Sequence, residues 1–417
     1  MTAVELRPGL RRRVFFGVRL AESDHNGARV LEVHPDSTAA AIGVVVGDRL
    51  LRIGPEAVLG PDELRRYVGR LVPGDEVEVE VGRGLDRQRL RGLARAWPTE
   101  LFSGSTMILD HVGPPGRRQR VFLTRPNTPG PHPAVMVIRG FSCRSCEFPL
   151  RPREPLRLLL EAWARAGLCT LRVEKPGVGD SDGPACADNT FEAELAGSRG
   201  GLELLCRADF VDSDRIALFG HSVGGMIAPL LAASRPVAAV GTLGTSALRF
   251  SDCAAASRRR QIVLSGASLR DLEAMESLQA LLVREGMTVN QATALRPDLA
   301  RVVPRLLPGG RLFGRSLTYT RQLDRAEIEG AWRRLDADVA IFHAEHDYVC
   351  VREEALHIVQ VVNEQGCGRA RLVELPGVGH LLYTHPSVEA AFAAPEVGST
   401  DTGIAEATLE WLRRAFA

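Results

Sequence analysis

The sequence predicts an α/β protein with a mostly parallel β-sheet, flanking helices and a helical lid, preceded by a small β-rich domain. Strand-like apolar runs recur between residues 134 and 375, and one of them leads through a glycine-flanked serine into an apolar helix. The first hundred residues contain short strand patterns, one of which alternates strictly over residues 76–81. This contrast predicts two domains, at residues 1–97 and 98–417.

The N-terminal region carries the ordered segments of a compact β-rich module. Apolar runs are separated by turns, and a Gly60-Pro61 break precedes a short helix. This order resembles a PDZ domain over about residues 12–95. The segments are apolar runs at 14–18 and 28–33, a small-residue stretch at 35–43, a strand pattern at 46–54, a helix at 61–71 and an alternating strand at 74–81.

The resemblance implies a peptide site in this module. Phe16, Gly17 and Val18 stand where PDZ domains carry the loop whose backbone N–H groups hold a terminal carboxylate, beside a free strand edge. The implied ligand is the C-terminal peptide of a partner protein. Two other uses stay open, namely homodimerisation and packing of the module against the rest of the chain.

A nucleophile elbow is predicted at residues 220–225, Gly-His-Ser-Val-Gly-Gly. The apolar strand 215–219 precedes it, and the apolar helix 226–233 follows it. Such a sharp strand-to-helix turn exposes the serine side chain, and the glycines let the two arms of the turn pass closely. Ser222 is therefore the candidate nucleophile.

A serine nucleophile needs a histidine base and an acid that orients the histidine. Residues 337–342 predict a buried strand, and the following loop, 343–349, would put Asp347 at the carboxyl edge of the sheet. Asp347 is thus the candidate acid. Glu345, two residues earlier, is a rival for the same role.

The candidate base lies after the next predicted strand. Residues 370–375 run into a Gly-rich turn that ends at His380, which puts this histidine at the same edge of the sheet. The candidate triad is therefore Ser222, Asp347 and His380. The rival histidines are His343, His346 and His385, and His221, within the elbow, is expected to support the site.

From about residue 100 to 417 the chain resembles the α/β-hydrolase superfamily, in its esterase, thioesterase and prolyl-oligopeptidase-like branch. Strand 134–138 ends in Arg139-Gly140-Phe141-Ser142, where the family carries its oxyanion loop, although the usual His-Gly pair is Arg-Gly here. The resemblance implies an oxyanion hole formed by the backbone N–H groups of Val223 and of Phe141 or Ser142.

The turn after the next strand, within residues 171–183, resembles the corresponding turn of these hydrolases. Gly177, Gly179 and Asp180 are expected to shape a tight loop there, in a structural role. Lys175 is the only lysine of the chain. We assign it no catalytic part, since the arginine bias of the sequence accounts for its isolation.

A long insertion separates the strand 237–243 from the strand that begins at 337. About ninety residues are too many for a simple crossover loop. Helical periodicity at 268–285 and 326–335 predicts a helical lid over about 248–335, which would select substrates by shape. The candidate lining residues are Phe250, Met275, Met287, Leu312, Phe313 and Tyr319.

Charge and hydropathy exclude several kinds of partner. The net charge of +1 gives no electrostatic reason to expect nucleic acid. No run approaches the roughly 20 apolar residues of a membrane helix, and the N-terminal segment lacks the pattern of a secretory signal. We therefore expect no membrane partner and a cytoplasmic location.

The eight cysteines are scattered rather than arranged as a disulfide framework. Cys143 and Cys146 have the spacing of half a zinc site, but no second pair accompanies them, so we predict neither a metal nor another cofactor. A bond from Cys143 or Cys146 to Cys186 is possible if their loops meet. Free thiols are nevertheless the expectation for a cytoplasmic protein.

The predicted activity is hydrolysis of an ester or thioester, on a small-molecule or carrier-bound acyl substrate, through an acyl-enzyme. Two alternatives stay open. A peptidase of the prolyl-oligopeptidase type would use the same triad, and a catalytically silent peptide-binding or scaffold protein would use none. The complete order of serine, acid and histidine along the chain favours an enzyme.

Overall fold

The computed structural model describes residues 3–21, 27–365 and 368–417. The chain divides into two compact units, one of Gly9–Thr99 and one that joins Met1–Pro8 to Glu100–Ala417. The segment before Gly9 therefore belongs to the larger unit, whereas the sequence analysis placed it in the domain of residues 1–97. Residues 3–6 form a strand that pairs in parallel with residues 106–109 of the larger unit, a tertiary choice that a four-residue pattern does not reveal.

Among the described residues there are fifteen strands and fourteen α-helices. The strands are β1 (Ala3–Leu6), β2 (Val18–Leu20), β3 (Ala28–Val33), β4 (Arg49–Ile53), β5 (Glu56–Ala57), β6 (Glu76–Arg83), β7 (Asp86–Leu93), β8 (Ser105–Val112), β9 (Gln119–Pro126), β10 (His132–Ile138), β11 (Cys169–Val173), β12 (Val211–His221), β13 (Ala239–Leu243), β14 (Asp338–His346) and β15 (Arg369–Gly379). The helices are α1 (Thr38–Ala41), α2 (Pro61–Val68), α3 (Pro155–Arg165), α4 (Phe191–Arg207), α5 (Val223–Ser234), α6 (Phe250–Leu264), α7 (Leu272–Val283), α8 (Val289–Leu295), α9 (Val303–Leu306), α10 (Leu317–Asp324), α11 (Ile328–Arg333), α12 (Arg352–Gln365), α13 (Val388–Ala393) and α14 (Ile404–Ala415).

A sheet that comprises nine of the described strands forms the centre of the larger unit, in the order β1-β8-β9-β11-β10-β12-β13-β14-β15. From β11 to β15 along this order all neighbours are parallel, whereas β9 is antiparallel to both β8 and β11. The strand order reverses at β10, which lies between β11 and β12. The loops after β10 and β12 therefore meet at the carboxyl edge, where ligands bind in open α/β sheets.

Apolar side chains cover both faces of this sheet. In β10, Ala134, Met136 and Ile138 belong to one buried cluster, and Val135 and Val137 belong to the other. Because successive side chains of a strand point to opposite faces, this alternation shows that β10 is buried on both sides. The central strands are thus a rigid platform for the loops at their carboxyl ends.

The strands that carry the candidate acid and base are longer than the sequence predicts. The segment 343–349, expected as a loop, begins as strand, because β14 continues through His346. His343 and Ala344 pair with Glu374 and Leu375 of β15, and a register irregularity follows between Ala344 and His346. The pairing partner therefore decided where the strand ends, rather than the local sequence.

The predicted insertion between β13 and β14 consists mainly of the helices α6 to α11. Part of it has an apolar cluster of its own, which includes Leu278, Leu282 and Leu299, all fully buried. The insertion is therefore a packed helical layer. None of the described helices is long and apolar enough to cross a lipid bilayer.

The smaller unit contains a sheet in the order β2-β3-β4-β6-β7, with β5 paired to β4. Neighbouring strands are antiparallel throughout the described residues. Its core includes Val30, Leu50 and Val79, which are fully buried. Strand β2 lies at the end of this order, so one of its edges has no neighbouring strand in the described sheet.

Candidate active site

Ser222 occupies a strained turn between β12 and α5. Its backbone has φ 56° and ψ −125°, which a residue other than glycine rarely adopts. A side chain at Gly220 would come within 2.4 Å of the carbonyl oxygen of Gly224, and one at Gly224 would lie 2.0 Å from that of Ile138. The glycines of the motif are therefore required because the turn packs closely against itself and β10.

Asp347 and His380 lie together at the carboxyl ends of two paired strands. Asp347 follows β14 and His380 follows β15. The Nδ1 atom of His380 lies 2.8 Å from Oδ2 of Asp347, and both side chains are almost fully buried. The Oδ1 atom of Asp347 accepts backbone N–H bonds from Val349 at 2.7 Å and from Cys350 at 2.9 Å. The carboxylate is thus fixed against the imidazole.

The pKa of Asp347 lies below its ordinary value despite burial. Burial alone raises the pKa of this carboxyl group, because it disfavours the charged form. The charge and hydrogen bond of His380, with the two backbone N–H donors, outweigh burial and lower the pKa overall. Asp347 is therefore a carboxylate at neutral pH, the form that can stabilise an imidazolium.

Gly244, directly after β13, is a site residue that the sequence analysis missed. A Cβ atom at this position would lie 2.9 Å from Oδ2 of Asp347 and 2.9 Å from Nδ1 of His380. Its φ of +63° also favours glycine. The available signal was a glycine at the end of a buried strand, at the edge where the candidate side chains meet.

A cavity of about 300 Å³ opens beside Ser222 and His380, and both residues line it. Phe141, from the loop after β10, and Phe250 and Phe313, from the insertion, form aromatic walls. The remaining described lining residues are Val223, Met226, Gly244, Thr245, Cys253, Ala254, Ser257, Arg258, Gln261, Val349 and Cys350. The cavity is thus mostly apolar, with polar groups concentrated on α6.

Two of the six candidate lining residues of the insertion, Phe250 and Phe313, line this cavity. The other four do not, because they pack within the protein instead. Met275 and Leu312 belong to the insertion's own apolar cluster, Met287 packs against that cluster, and Tyr319 is buried in the main core. Helical periodicity identified apolar faces but not which of them faces the cavity.

The rival side chains are engaged elsewhere. Glu345 is exposed and accepts the backbone N–H of Gly377 at 2.7 Å. The Nδ1 atom of His346 lies 2.9 Å from the carbonyl oxygen of His385. Neither these residues nor His343 belongs to the described residues that line the cavity.

His221 supports the histidine loop from within the elbow. Its Nε2 atom lies 2.8 Å from the carbonyl oxygen of His380, a contact in which the ring nitrogen donates. Burial, followed by the proximity of His380, lowers the pKa of His221 to about 3. The imidazole is therefore neutral at ordinary pH and acts as a hydrogen-bond donor to the backbone.

The candidate oxyanion donors differ in their placement. Val223 is the first residue of α5, directly after the serine. Both Val223 and Phe141 line the cavity. Ser142 is exposed and is not among the described lining residues. A side chain at Gly140 would lie 2.8 Å from Cβ of Ser222, so the loop after β10 passes directly over the elbow.

Family models match most of the chain. Residues 135–393, more than half of the protein, match the α/β hydrolase family. The chain belongs to this family. Residues 14–91 match the PDZ domain model, so this α/β hydrolase carries an N-terminal PDZ domain.

The individual proteins that resemble this chain match it either over a short segment or at low sequence identity. A probable periplasmic DegP-like serine endoprotease of Halomonas elongata is 32% identical over 72 residues, which cover 17% of this chain and only 15% of that protein. The solved Est1E of Butyrivibrio proteoclasticus is 18% identical over 74% of this chain and 98% of its own, with a TM-score of 0.45. The acylaminoacyl peptidase of Pyrococcus horikoshii is 11% identical over 82% of this chain and 48% of its own, with a TM-score of 0.47.

A disulfide ties the loop after β10 of the hydrolase to the segment before α4. Cys143 is bonded to Cys186, across a sequence separation of 43. The expectation of free thiols was therefore wrong for these two cysteines, because the fold brings their loops together. Among the described residues the free cysteines are Cys146, Cys169, Cys206, Cys253 and Cys350, and Cys367 lies outside the described residues.

Beneath this loop, two cations of the hydrolase share one buried carboxylate. Glu194 bonds to Arg315 and accepts from the hydroxyl of Tyr319 at 3.1 Å, while Nζ of Lys175 lies 3.3 Å from it. Lys175 Nζ also donates to the carbonyl oxygen of Gly140 at 2.6 Å. Local sequence gave no signal for this cluster, because its members come from four separate segments.

Arg258 is the one arginine, lysine, aspartate or glutamate among the described residues that line the hydrolase cavity. It is nine-tenths buried, donates to Gln279 and stacks over Phe313 at 5.1 Å. No ion pair with an acidic residue is formed by Arg258 within the described part of the chain. Burial, opposed by the more distant charge of Glu276, lowers its pKa. A positive charge without a carboxylate partner thus stands in the cavity wall.

No group of three or more His, Cys, Asp or Glu side chains within the described ranges is arranged to hold a metal ion. In particular, Cys143 is consumed by its disulfide, while Cys146 is a buried thiol. Burial raises the pKa of the Cys146 thiol well above its ordinary value. The two cysteines of the Cys-x-x-Cys sequence are therefore in different states, one in a disulfide and the other a buried thiol.

Proposed function

We propose that this α/β hydrolase is a serine hydrolase that cleaves an ester or thioester, with Ser222 as the nucleophile, His380 as the base and Asp347 as the acid that orients it. One observation carries the proposal. Ser222 and His380 line the same cavity, and Nδ1 of His380 is hydrogen-bonded to Asp347 at 2.8 Å. The strained backbone of Ser222 supports the same assignment.

The first half of the reaction forms an acyl-enzyme. Oγ of Ser222 attacks the acyl carbonyl carbon while Nε2 of His380 takes the hydroxyl proton, and Asp347 stabilises the imidazolium. The backbone N–H groups of Val223 and Phe141 would donate to the carbonyl oxygen as it becomes negative. The tetrahedral intermediate then collapses, the bond to the leaving alcohol or thiol breaks, and His380 returns its proton to that group.

Water completes the turnover. His380 takes a proton from the water, whose oxygen attacks the acyl-serine carbonyl. Collapse of this second intermediate releases the carboxylic acid and returns the proton to Ser222. The reaction needs no external redox partner, because bonds are only exchanged between acyl, hydroxyl and water.

The cavity supports a compact acyl group. Its volume, about 300 Å³, lies at the lower end of the range for ligand pockets. Aromatic walls from Phe141, Phe250 and Phe313 favour an apolar body next to the reacting carbonyl. A small-molecule ester fits these features, and a carrier-bound acyl group would enter with its acyl end first.

The PDZ domain is proposed to recognise the C-terminal peptide of a partner at Phe16-Gly17-Val18. The carbonyl oxygen of Phe16 accepts the N–H of Ala39 at 3.0 Å. Since the C=O and N–H of one trans peptide point in opposite directions, the N–H of Gly17 is turned to the other side of the loop. The edge of β2 could then extend an incoming strand.

The decisive test of the enzyme proposal is Ser222→Ala in a panel of p-nitrophenyl esters, acyl thioesters and dipeptide amides. We expect ester or thioester turnover to fall by several orders of magnitude and labelling by a fluorophosphonate to disappear. Undiminished hydrolysis in Ser222→Ala would contradict the mechanism. Faster turnover of amides than of esters in the wild type would favour a peptidase.

The acid is tested by comparing two substitutions. Asp347→Asn should lower kcat by roughly a thousandfold or more, because an amide cannot stabilise the imidazolium and favours the wrong tautomer. Glu345→Gln is the matched control, since Glu345 is exposed and engaged by the backbone of Gly377. A greater loss of kcat in Glu345→Gln, at equal stability, would transfer the role to Glu345.

A further inference from the structure

Lys175 makes a short hydrogen bond to the backbone of the loop that passes over the elbow. Its Nζ atom donates to the carbonyl oxygen of Gly140 at 2.6 Å, and its side chain is only 11% exposed. A hydrogen bond from an ionised donor is about twice as strong as one between neutral groups. The only lysine of the chain thus contacts one backbone carbonyl and one carboxylate.

This carbonyl belongs to the same peptide unit as a candidate oxyanion donor. The peptide between Gly140 and Phe141 carries the C=O of the first residue and the N–H of the second. In a trans peptide these groups point in opposite directions, and the cis bond recorded for the described residues lies elsewhere, between Gly130 and Pro131. Lys175 therefore fixes the carbonyl on one side and turns the N–H of Phe141 to the other.

The position of this peptide relative to the serine is also fixed. A Cβ atom built on Gly140 would lie 2.8 Å from Cβ and 3.3 Å from Oγ of Ser222. Phe141 itself lines the cavity together with Ser222. The orientation of the Gly140–Phe141 peptide therefore decides whether the N–H of Phe141 points towards the reacting carbonyl.

A second cation holds the next carbonyl of the loop. Nη1 of Arg315 donates to the carbonyl oxygen of Phe141 at 3.2 Å. Arg315 and Lys175 both contact the carboxylate of Glu194, which keeps the two cations at a fixed separation. Two consecutive carbonyls of the loop are thus anchored by one buried cluster, in which two cations share a single carboxylate.

We propose that Lys175 is a positioning residue that orients the Gly140–Phe141 peptide so that the N–H of Phe141 donates to the oxyanion. This inference rests on the proposed serine hydrolase. The ammonium charge also polarises the peptide, which strengthens the hydrogen bond that its N–H donates. Lys175 thereby acts on the transition state through the backbone, without contact with the substrate.

The protonation of Lys175 provides a signature of this role. Burial lowers the pKa of Lys175 to about 8, with Arg315 and Arg139 acting in the same direction and Glu194 opposing them. Tyr319, which also faces this cluster, has its pKa raised well above the ordinary value by burial. As pH rises through about 8, Lys175 loses its charge but keeps an N–H donor. We therefore expect kcat to fall to a lower plateau, not to zero.

The test compares Lys175→Met and Lys175→Arg with the wild type on a p-nitrophenyl ester. We expect Lys175→Met to lower kcat by roughly ten- to a hundredfold with KM changed by about twofold at most, somewhat less than loss of a whole oxyanion donor. Lys175→Arg keeps a charged donor. It should recover part of kcat and lose the step near pH 8.

A boronic acid that forms a tetrahedral adduct with Ser222 separates orientation from general damage. Its affinity should fall in Lys175→Met in parallel with kcat, because the adduct needs the oxyanion donors. Arg120→Met is the matched control, since Arg120 is a buried cation that bonds to Asp180 and to the carbonyl of Asp110. It should lower the melting temperature and leave kcat and boronate affinity within about twofold of wild type.

The outcomes separate the two proposals. If the wild type shows no Ser222-dependent hydrolysis, the proposed function fails. If the wild type hydrolyses esters but folded Lys175→Met retains kcat and boronate affinity, the positioning role is overturned and the proposed function stands. An alkaline step that persists unchanged in Lys175→Arg would likewise overturn the role of the lysine charge.

Discussion

At the residue scale, the absence of a side chain at Gly244 leaves room for the contact between Asp347 and His380. A methyl group there would lie 2.9 Å from both Oδ2 of Asp347 and Nδ1 of His380. We expect Gly244→Ala to lower kcat by roughly tenfold or more with little change in KM, because the pair must shift out of its productive geometry. Steady-state hydrolysis of a p-nitrophenyl ester measures this.

Gly266→Ala is the control for Gly244→Ala. Gly266 also has a left-handed φ, +65°, but nothing lies within 4 Å of a Cβ built there. It therefore isolates the cost of the backbone conformation, on the order of 1 kcal/mol, from the contact with the candidate site. Equal losses of kcat in the two variants would contradict the steric argument.

Arg258 leads to a prediction about the acyl group. Its buried charge lacks a carboxylate partner among the described residues, and an unpaired buried charge is costly until an anion joins it. We expect p-nitrophenyl esters whose acyl chain ends in a carboxylate to react faster than neutral esters of equal length. Arg258→Met should reduce this ratio of kcat/KM by roughly tenfold, which corresponds to about 1.4 kcal/mol.

The neighbouring Arg259 provides the matched control. It bonds to Glu276 on the surface and is absent from the described lining of the cavity, so Arg259→Met should leave the ratio unchanged. A wild type that does not distinguish charged from neutral acyl chains would contradict the role of Arg258. Hydrolysis of either ester keeps that result separate from a failure of the enzyme proposal.

At the element scale, the disulfide and the cluster of Lys175 and Arg315 hold the same loop at neighbouring points. A crosslink that closes a loop of 43 residues stabilises the folded state by about 4 kcal/mol in the chain-entropy account. Because Cys143 lies two residues after Phe141, its release would also loosen the candidate oxyanion donor. The loop after β10 is therefore an element whose order depends on long-range contacts.

We expect Cys143→Ser to lower the free energy of unfolding by roughly 2 to 4 kcal/mol and to lower kcat. Urea titration measures the first effect and ester hydrolysis the second. Cys206→Ser is the control, because Cys206 is a free cysteine on α4 outside the described cavity lining. The role of the crosslink is refuted if both variants have the same stability and kcat.

At the scale of the whole molecule, the first strand belongs to the hydrolase rather than to the PDZ domain. β1 pairs with β8 at the edge of the large sheet, and Glu5 forms an ion pair with Arg125 at 2.7 Å. A truncation that removes the PDZ domain together with everything before it also removes this edge strand. The boundary therefore matters for any dissection of the protein.

We expect an internal deletion of residues 9–99, bridged by a flexible linker of about 12 residues, to retain hydrolysis of a small ester. Removal of residues 1–99 should give a less stable protein, with a lower melting temperature, because β8 loses its parallel partner. Equal melting temperatures for the two would contradict a role for β1. Loss of ester hydrolysis in the internal deletion would show that the PDZ domain contributes to more than recognition.

Local sequence determined the features that depend on short-range geometry. The elbow around Ser222 was predictable because a strand, a glycine-flanked serine and a helix follow one another within about twenty residues. Asp347 and His380 could be chosen because the carboxyl ends of parallel strands share one edge, although their catalytic roles stay predictions. The PDZ and α/β hydrolase folds were likewise predictable from ordered local patterns, and the family matches confirm both.

Tertiary structure alone decided which distant segments meet. The contact of Lys175 with Gly140, the approach of Gly244 to His380, the Cys143–Cys186 bond and the pairing of β1 all join residues from different loops or strands. Periodicity and turn chemistry describe how a segment folds locally, whereas these contacts depend on strand order and on the packing of complete layers. The sequence therefore indicated the candidate reacting groups, and the assembled sheet decided which backbone and charges surround them.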